Sequence, residues 1–241
     1  RDSSTSRGLG DVYKRQAHDR AERSDRGEWY WGGTFCIPHE VVATEEGELD
    51  VKVPQEYVEA FSKPVNWKYT PVLGVSKQYG NNAFELDSVS TCTYGFLEHE
   101  EESFLFKCKI LPREVYDHFG ILLKSDKEAS GCLLLEFDVA MNRVSLLSLP
   151  MGVDPFWVQS CQAVPPATEP GPDGIRVCEK PFLIKEGESI DIKIFVEHDM
   201  VEVFVAEQIA FTYRIYAKPE YELGILAQDA KVEIYDVEIM K

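Results

Sequence analysis

The sequence predicts an all-β protein whose larger part is a β-sandwich of two antiparallel sheets. Residues 190–216 alternate apolar and polar side chains with a period of two, which is typical of half-buried strands. More than ten such short runs follow Trp67, and turn-forming residues separate them, as in sandwich folds. One segment, between Pro54 and Pro64, has helical spacing instead.

Residues 190–216 predict a meander of three antiparallel strands, because two short polar stretches interrupt the alternation. One face of this meander is aliphatic. The other face carries polar side chains such as Glu202 and Thr212, but also Phe195 and Phe204. These two aromatic side chains predict that the second face is partly covered too, as in a two-sheet sandwich.

Further strands are predicted on both sides of the helical segment. Residues 28–53 predict short strands with a turn at Glu46-Gly47, and residues 54–66 predict a linker helix of two to three turns. Pro54 suits the first helical turn, and Pro64 ends the run. After the helix, strands are predicted at 84–89, 92–98, 103–111, 118–125, 131–138, 143–149, 176–184, 222–228 and 231–240.

The first 16 residues differ from the rest of the chain. Residues 1–16 are polar, rich in Gly, Ser and Arg, and without periodicity, so we expect them to be disordered. Their end, DVYKRQ, resembles translated adapter sequence. On this interpretation residues 1–16 are a sequencing artefact and the natural chain is truncated at about Ala17. The alternative is an ordinary flexible terminus.

The charge of the chain argues against two classes of partner. The formal net charge is −17, whereas nucleic acids and anionic membranes require clustered Lys and Arg. We therefore predict no nucleic-acid partner and no membrane partner, and no apolar run approaches the roughly 20 residues of a membrane span. No leader peptide is visible, which favours a cytoplasmic location. The chain starts at Arg1 rather than Met, however, so location stays open.

The six cysteines do not form a recognisable metal or redox motif. No C-x-x-C pair occurs, so neither a zinc site nor a thioredoxin-type motif is predicted. Several cysteines lie within strand-like runs, where a thiol behaves as a small buried apolar group. Reduced thiols are favoured over disulfides, and both remain open.

The residues alone reveal no catalytic constellation. The run EHEEE at 98–102 predicts an exposed turn, because a dense like-charge run is stable mainly when solvated. His39-Glu40 does not extend to H-E-x-x-H, since residue 43 is Ala. His198-Asp199 lies in a predicted turn without a nucleophile motif. We predict no catalytic residue, no metal ligand and no cofactor.

Aromatic side chains are the remaining candidates for ligand binding. Sugars stack their apolar faces on exposed aromatic rings, and Trp29, Trp31 and Trp157 are the candidate carbohydrate-binding residues, with Trp67 considered beside them. Trp29 and Trp31 share one side of a predicted strand. For each tryptophan, packing in the core is the competing interpretation.

Two ordered motifs resemble glycoside hydrolase family 32, the β-fructosidases, which include invertases, levanases, inulinases and sucrose-6-phosphate hydrolases. WYWGGTFCIPHEVV, followed by GELDVKVPQEYVEAF, resembles the family's Trp-x-Gly…Pro-Arg-Glu-Leu segment, with His39 in place of the usual Arg. IFVEHDMVEVFVAEQIAFTYRIY resembles the signature of the family's C-terminal sandwich. The resemblance covers about residues 28–241.

The resemblance implies a domain organisation. Members of the family join a five-bladed β-propeller to a concanavalin-like C-terminal sandwich. By this likeness residues 17–53 are the last strands of a truncated propeller, residues 54–66 a linker helix and residues 67–241 the sandwich. The propeller of the same parent chain would then be the partner of the sandwich.

The resemblance transfers no catalytic residue. The family's nucleophile lies in Asn-Asp-Pro, its stabilising Asp in Arg-Asp-Pro and its acid/base in Glu-Cys, and none of these motifs occurs here. The expected function is therefore that of an inactive C-terminal fragment of a hydrolase acting on sucrose, sucrose phosphate, inulin or levan. The alternative is a free-standing, lectin-like module that binds fructan or a related carbohydrate.

Overall fold

The computed structural model describes residues 16–17, 34–125, 132–149, 175–197, 200–214 and 222–241, and all structural statements refer to these. Sixteen strands and one helix occur there: β1 Gln16–Ala17, β2 Thr34–Phe35, β3 Glu40–Ala43, β4 Leu49–Lys52, α1 Gln55–Ala60, β5 Lys68–Leu73, β6 Val75–Tyr79, β7 Ala83–Asp87, β8 Cys92–Glu98, β9 Ser103–Ser125, β10 Cys132–Asp138, β11 Arg143–Leu149, β12 Ile175–Pro181, β13 Ile190–Glu197, β14 Met200–Val205, β15 Ile209–Arg214 and β16 Glu222–Met240.

Strands β5 to β16 form two antiparallel sheets that share two long strands. Sheet A has the order β12-β11-β10-β9-β16-β8-β5. Sheet B has the order β15-β14-β13-β9-β16-β7-β6. The first half of β9 pairs with β13 and its second half with β10, so this strand passes from one sheet into the other. The prediction of an all-β sandwich is confirmed.

β16 crosses between the sheets at a bend centred on Asp229. This residue has a φ of +43°, a left-handed conformation that Asp tolerates, and the register with β9 shifts between Gln228 and Ala230. The Asp229 carboxylate accepts a hydrogen bond of 2.6 Å from the Ser90 amide. The amide and the hydroxyl of Ser88 both donate to the Ala230 carbonyl, at 3.0 and 2.6 Å. The turn between β7 and β8 therefore fixes the bend.

The main core lies between the two sheets. Along β13, Ile190, Ile192 and Ile194 point into it, as the period of two requires. Phe119 of β9 and Phe137 of β10 stack there with ring centroids 5.1 Å apart and an interplanar angle of 5°. The members of this core are aliphatic and aromatic side chains and one cysteine, Cys108. Charged side chains therefore lie on the outer faces of the sheets.

The outer face of sheet B is covered by the N-terminal segment. The sequence analysis expected a second sheet opposite Phe195 and Phe204, but the second sheet lies on their other side, against the aliphatic face. The two aromatic rings instead form a separate buried cluster beneath α1 and the hairpin β3–β4. Its members are Ile37, Leu105, Phe195, Phe204 and Ala210, with Val51, Val53, Tyr57, Val58, Phe61 and Met240 packed against them.

Helix α1 is shorter than the predicted two to three turns. It has six residues and none of them is buried. It ends because Phe61 leaves the helical region, with ψ at 83°, and its ring packs 5.4 Å from that of Phe195. No helix in the described ranges has the length and apolar character needed to cross a lipid bilayer.

Strand boundaries differ from the prediction where the chain crosses between sheets. The predicted strands 103–111 and 118–125 form the single strand β9, and 222–228 and 231–240 form β16. The polar residues between them resemble turns in sequence but occupy bends and bulges. β5 and β6 were not predicted. Both are edge strands, where Pro71 is tolerated.

We expect Phe137→Ala to lower the free energy of unfolding by about 3 to 5 kcal/mol, because it opens a cavity beside Phe119 in the main core. Leu183→Ala is the control, since this side chain is 63% exposed and its loss should change stability by no more than about 0.5 kcal/mol. Urea unfolding followed by circular dichroism measures both. Equal losses of unfolding free energy in the two variants would contradict the placement of Phe137 in the core and of Leu183 at the surface.

Candidate functional site

Two carboxylates are buried in the part of the chain that the structure describes. Glu202 of β14 is 3% exposed and Glu136 of β10 is 7% exposed. A buried carboxylate is costly unless hydrogen bonds satisfy it, so each one marks a position where the fold has arranged partners. These two residues are therefore the starting points for a search for function.

Glu202 joins the N-terminal segment to sheet B. Its Oε1 accepts a hydrogen bond of 2.6 Å from the Ile37 amide. Its Oε2 lies 2.9 Å from Nε2 of His39 and accepts a hydrogen bond of 3.1 Å from the Thr212 hydroxyl. Two of the three partners come from the first sequence motif, and the third comes from the neighbouring strand β15. We call these four groups the Glu202 site.

Apolar side chains surround the Glu202 site on the same face of the sheet. The His39 ring meets the Phe204 ring edge-on, with centroids 5.2 Å apart and an interplanar angle of 78°. Phe204 also meets Phe195 edge-on at 6.0 Å. This surrounding excludes water from the carboxylate, which strengthens its hydrogen bonds.

Helix α1 attaches beside the Glu202 site through Tyr57. The Tyr57 hydroxyl donates a hydrogen bond of 3.3 Å to Oε1 of Glu197. Burial, and after it the charge of Glu197, raises the pKa of Tyr57, so the hydroxyl keeps its proton and remains a donor. The Tyr57 ring packs edge-on to Phe195 at 5.7 Å.

Glu136 belongs to a separate ion-pair network on the outer face of sheet A. Its Oε2 accepts hydrogen bonds from the Ser145 hydroxyl at 2.9 Å and from Nη2 of Arg176 at 2.8 Å. Nε of Arg176 also donates to the Ser145 hydroxyl at 3.2 Å. These three side chains come from β10, β11 and β12, so the network ties the edge strand of sheet A to its neighbours.

The two buried carboxylates cannot act together on one bond. Glu136 faces outward from sheet A, because its neighbours Leu135 and Phe137 point into the main core. Glu202 faces outward from sheet B, because Val201 and Val203 point into the same core. Packed sheets are about 10 Å apart, so the carboxylates exceed the roughly 5 to 9.5 Å that a glycosidase pair requires.

The structure also places several residues that the sequence analysis considered. His39 takes part in the Glu202 site. Residues 98–102 comprise the last residue of β8 and the connection to β9. The Trp67 ring lies 5.7 Å from that of Phe84 and packs against the main core, as the core-packing interpretation expects. The candidates Trp29, Trp31 and Trp157, the pair His198-Asp199 and residues 1–15 lie outside the described residues.

Sequence reasoning missed the role of Glu202. It placed the side chain on the polar face of the meander, and a carboxylate there is usually solvated. The sequence signal for a buried Glu202 was the pair of aromatic residues on the same face, because Phe195 and Phe204 shield a carboxylate between them from bulk water. Within the described ranges, no three His, Cys, Asp or Glu side chains converge in a way that could hold a metal ion.

A family model described as the C-terminal part of glycosyl hydrolases family 32 matches residues 103–241, which is more than half of the chain. The chain belongs to glycosyl hydrolase family 32. The match runs from β9 to β16 and confirms the resemblance seen in the sequence motifs. No curated protein sequence matches the chain.

Solved structures share the fold of this family-32 chain at low sequence identity. The carbohydrate-binding module CBM66 from Bacillus subtilis has a TM-score of 0.55 and 13% identity, over 72% of this chain and 95% of that one. An exo-inulinase from Aspergillus awamori has a TM-score of 0.54 and 14% identity, over 91% of this chain and 38% of that one. A sucrose-6-phosphate hydrolase from Lactobacillus gasseri has a TM-score of 0.51 and 13% identity, over 90% of this chain and 35% of that one. The chain thus spans well under half of either hydrolase.

We expect Thr212→Val to lower the free energy of unfolding by about 1 to 2 kcal/mol, because it removes a hydroxyl donor to the buried Glu202 carboxylate without changing side-chain volume. Thr70→Val is the matched control. The Thr70 hydroxyl is buried without a hydrogen-bond partner in the structure, so its removal should be neutral or stabilising. Urea unfolding of both variants tests the pair, and equal losses of stability would contradict the assignment.

Proposed function

We propose that this chain is the C-terminal part of a glycoside hydrolase that acts on β-fructosides, and that the chain by itself hydrolyses none of them. The observation that carries the proposal is the placement of the buried carboxylates, Glu136 and Glu202, on opposite outer faces of the sandwich. The Glu179 carboxylate, which shares Arg176 with Glu136, is held in the same ion-pair network. The absence of Asn-Asp-Pro, Arg-Asp-Pro and Glu-Cys from the sequence supports the same conclusion.

The substrate class of the parent is proposed from family membership. An exo-inulinase and a sucrose-6-phosphate hydrolase are among the structures with the same fold, which supports sucrose, sucrose phosphate, inulin or levan as substrates of the intact enzyme. Hydrolysis of such bonds in a retaining glycosidase needs a nucleophile and an acid/base. In this proposal both reside on a β-propeller that precedes the sandwich and is its partner.

The sandwich has a structural role in this proposal. The Glu202 site holds residues 37–39, which lie in the motif that resembles the closing segment of the family's propeller. A sandwich that binds this segment would keep the propeller closed and would fix its orientation relative to the sandwich. The contribution is to stability and not to the chemical step.

We expect the purified chain to release no fructose or glucose from sucrose, sucrose phosphate, inulin or levan above the rate without protein. An intact β-fructosidase assayed in parallel shows that the substrates are competent. Size-exclusion chromatography of the sample tests whether any activity follows the chain or a contaminant. Hydrolysis that co-elutes with the chain would contradict the proposal.

Carbohydrate binding without hydrolysis is the second candidate function. It is favoured by the fold shared with a complete carbohydrate-binding module, 95% of which aligns with this chain. In this alternative the chain is a lectin-like module, and Trp29, Trp31 and Trp157 are the proposed sugar-stacking residues.

For this alternative we expect isothermal titration calorimetry with levan, inulin and sucrose to detect millimolar or tighter binding. Alanine replacement of Trp29, Trp31 or Trp157 should abolish it, because stacking on an indole ring supplies much of the contact area. Trp67→Phe is the control, since Trp67 packs against the core and an aromatic replacement preserves that contact. Absence of binding by the unmodified chain would exclude the alternative.

A further inference from the structure

Residues 36–61 lie across the outer face of sheet B and are here called the strap. The strap contains the hairpin β3–β4 and helix α1. Its apolar residues Val51, Val53, Tyr57 and Phe61 face the sheet and pack on the aromatic cluster there. Beneath them Phe195 is 1% exposed, so the strap covers the aromatic cluster on this face.

The strap cannot hold its own structure. Helix α1 has six residues, no side-chain cap and no buried residue, and a helix of that length is unstable alone. The hairpin β3–β4 is a separate two-stranded sheet, which is at best marginally stable in water. Both elements therefore depend on their contacts with sheet B.

Several directed contacts join the strap to sheet B, among them an ion pair of 3.6 Å between Lys52 and Glu207. The Val51 amide donates a hydrogen bond of 3.0 Å to the Gln208 carbonyl in the β14–β15 turn. Tyr57 donates to Glu197 at 3.3 Å. The shortest of these contacts is at the beginning of the strap, where Glu202 accepts a hydrogen bond of 2.6 Å from the Ile37 amide and lies 2.9 Å from His39 in an apolar surrounding.

The pattern of donors makes this tie specific for one register. The Ile37 main-chain amide and the His39 imidazole reach the two oxygens of the same carboxylate. Between them is Pro38, which has no amide proton. A shift of the strap by one residue in one direction would place Pro38 at the position of Ile37 and leave Oε1 of Glu202 without its donor. A shift in the other direction would place Pro38 at the position of His39 and remove the imidazole from Oε2.

We propose that Glu202 is the positioning residue of the strap: its carboxylate fixes where residues 36–43 lie on sheet B, and thereby where the polypeptide before residue 36 leaves the sandwich. The consequence for an attached propeller rests on the proposed function. In that setting the strap and the sandwich form one body, and the preceding domain is oriented by the hydrogen bonds of one side chain.

Hydrogen exchange of the full chain tests the proposal. Glu202→Gln keeps the side-chain shape but replaces one acceptor oxygen with an amide group that donates. This amide group takes the place of Oε2 and faces the Thr212 hydroxyl and His39. We expect the Ile37 amide and the peptide 36–43 to exchange at least about tenfold faster, because Ile37 would donate to a neutral amide oxygen in place of the carboxylate and the contacts with His39 and Thr212 would weaken. Amides of β9 and β16 should keep their rates.

Glu197→Gln is the matched control, because it alters the tie to Tyr57 and leaves the Glu202 site intact. It should leave exchange of residues 36–43 unchanged. Thr212→Val removes one donor to the Glu202 carboxylate and keeps its contacts with Ile37 and His39, so it should give a smaller increase that is largest at the same peptide if Glu202→Gln does not fold. Unchanged exchange at 36–43, or an equal increase throughout the chain, would overturn the proposal. Neither outcome depends on whether the chain hydrolyses or binds a sugar.

Discussion

The buried carboxylate of Glu202 is the interaction on which the organisation of this chain depends. Its position on β14 places it on the outer face of sheet B, among aromatic side chains that exclude water. A carboxylate there is stable because donors from two distant parts of the chain satisfy it. The same bonds bring the N-terminal segment onto the sheet, where it covers Phe195 and Phe204. Burial of the aromatic face and burial of the charge therefore require each other.

The sandwich architecture explains why the two buried carboxylates, Glu136 and Glu202, do not form a catalytic pair. The core between the sheets is apolar, so the buried charges are confined to the two outer faces. Each is already satisfied, Glu202 by the strap and β15, Glu136 by Ser145 and Arg176. These arrangements join structural elements.

The sequence was sufficient to predict the all-β class and the family, because period-two alternation and two ordered motifs are local signals. It was insufficient where a strand continues through a bend. Asp229 resembles a turn residue, and only the pairing of β16 with both β7 and β8 shows that the strand continues. The sequence predicts that Phe195 is covered. It does not predict which segment covers it, because the strap is more than 130 residues distant in sequence. The tryptophan candidates remain predictions.

We propose that this family-32 chain is the C-terminal part of a β-fructoside hydrolase whose catalytic residues precede it. The most direct measurement is to sequence the source DNA upstream of the codon for Ala17. The account predicts that the reading frame continues into a propeller that carries Asn-Asp-Pro, Arg-Asp-Pro and Glu-Cys. A start codon shortly before Ala17, with no such region upstream, would contradict it and leave carbohydrate binding as the function to pursue.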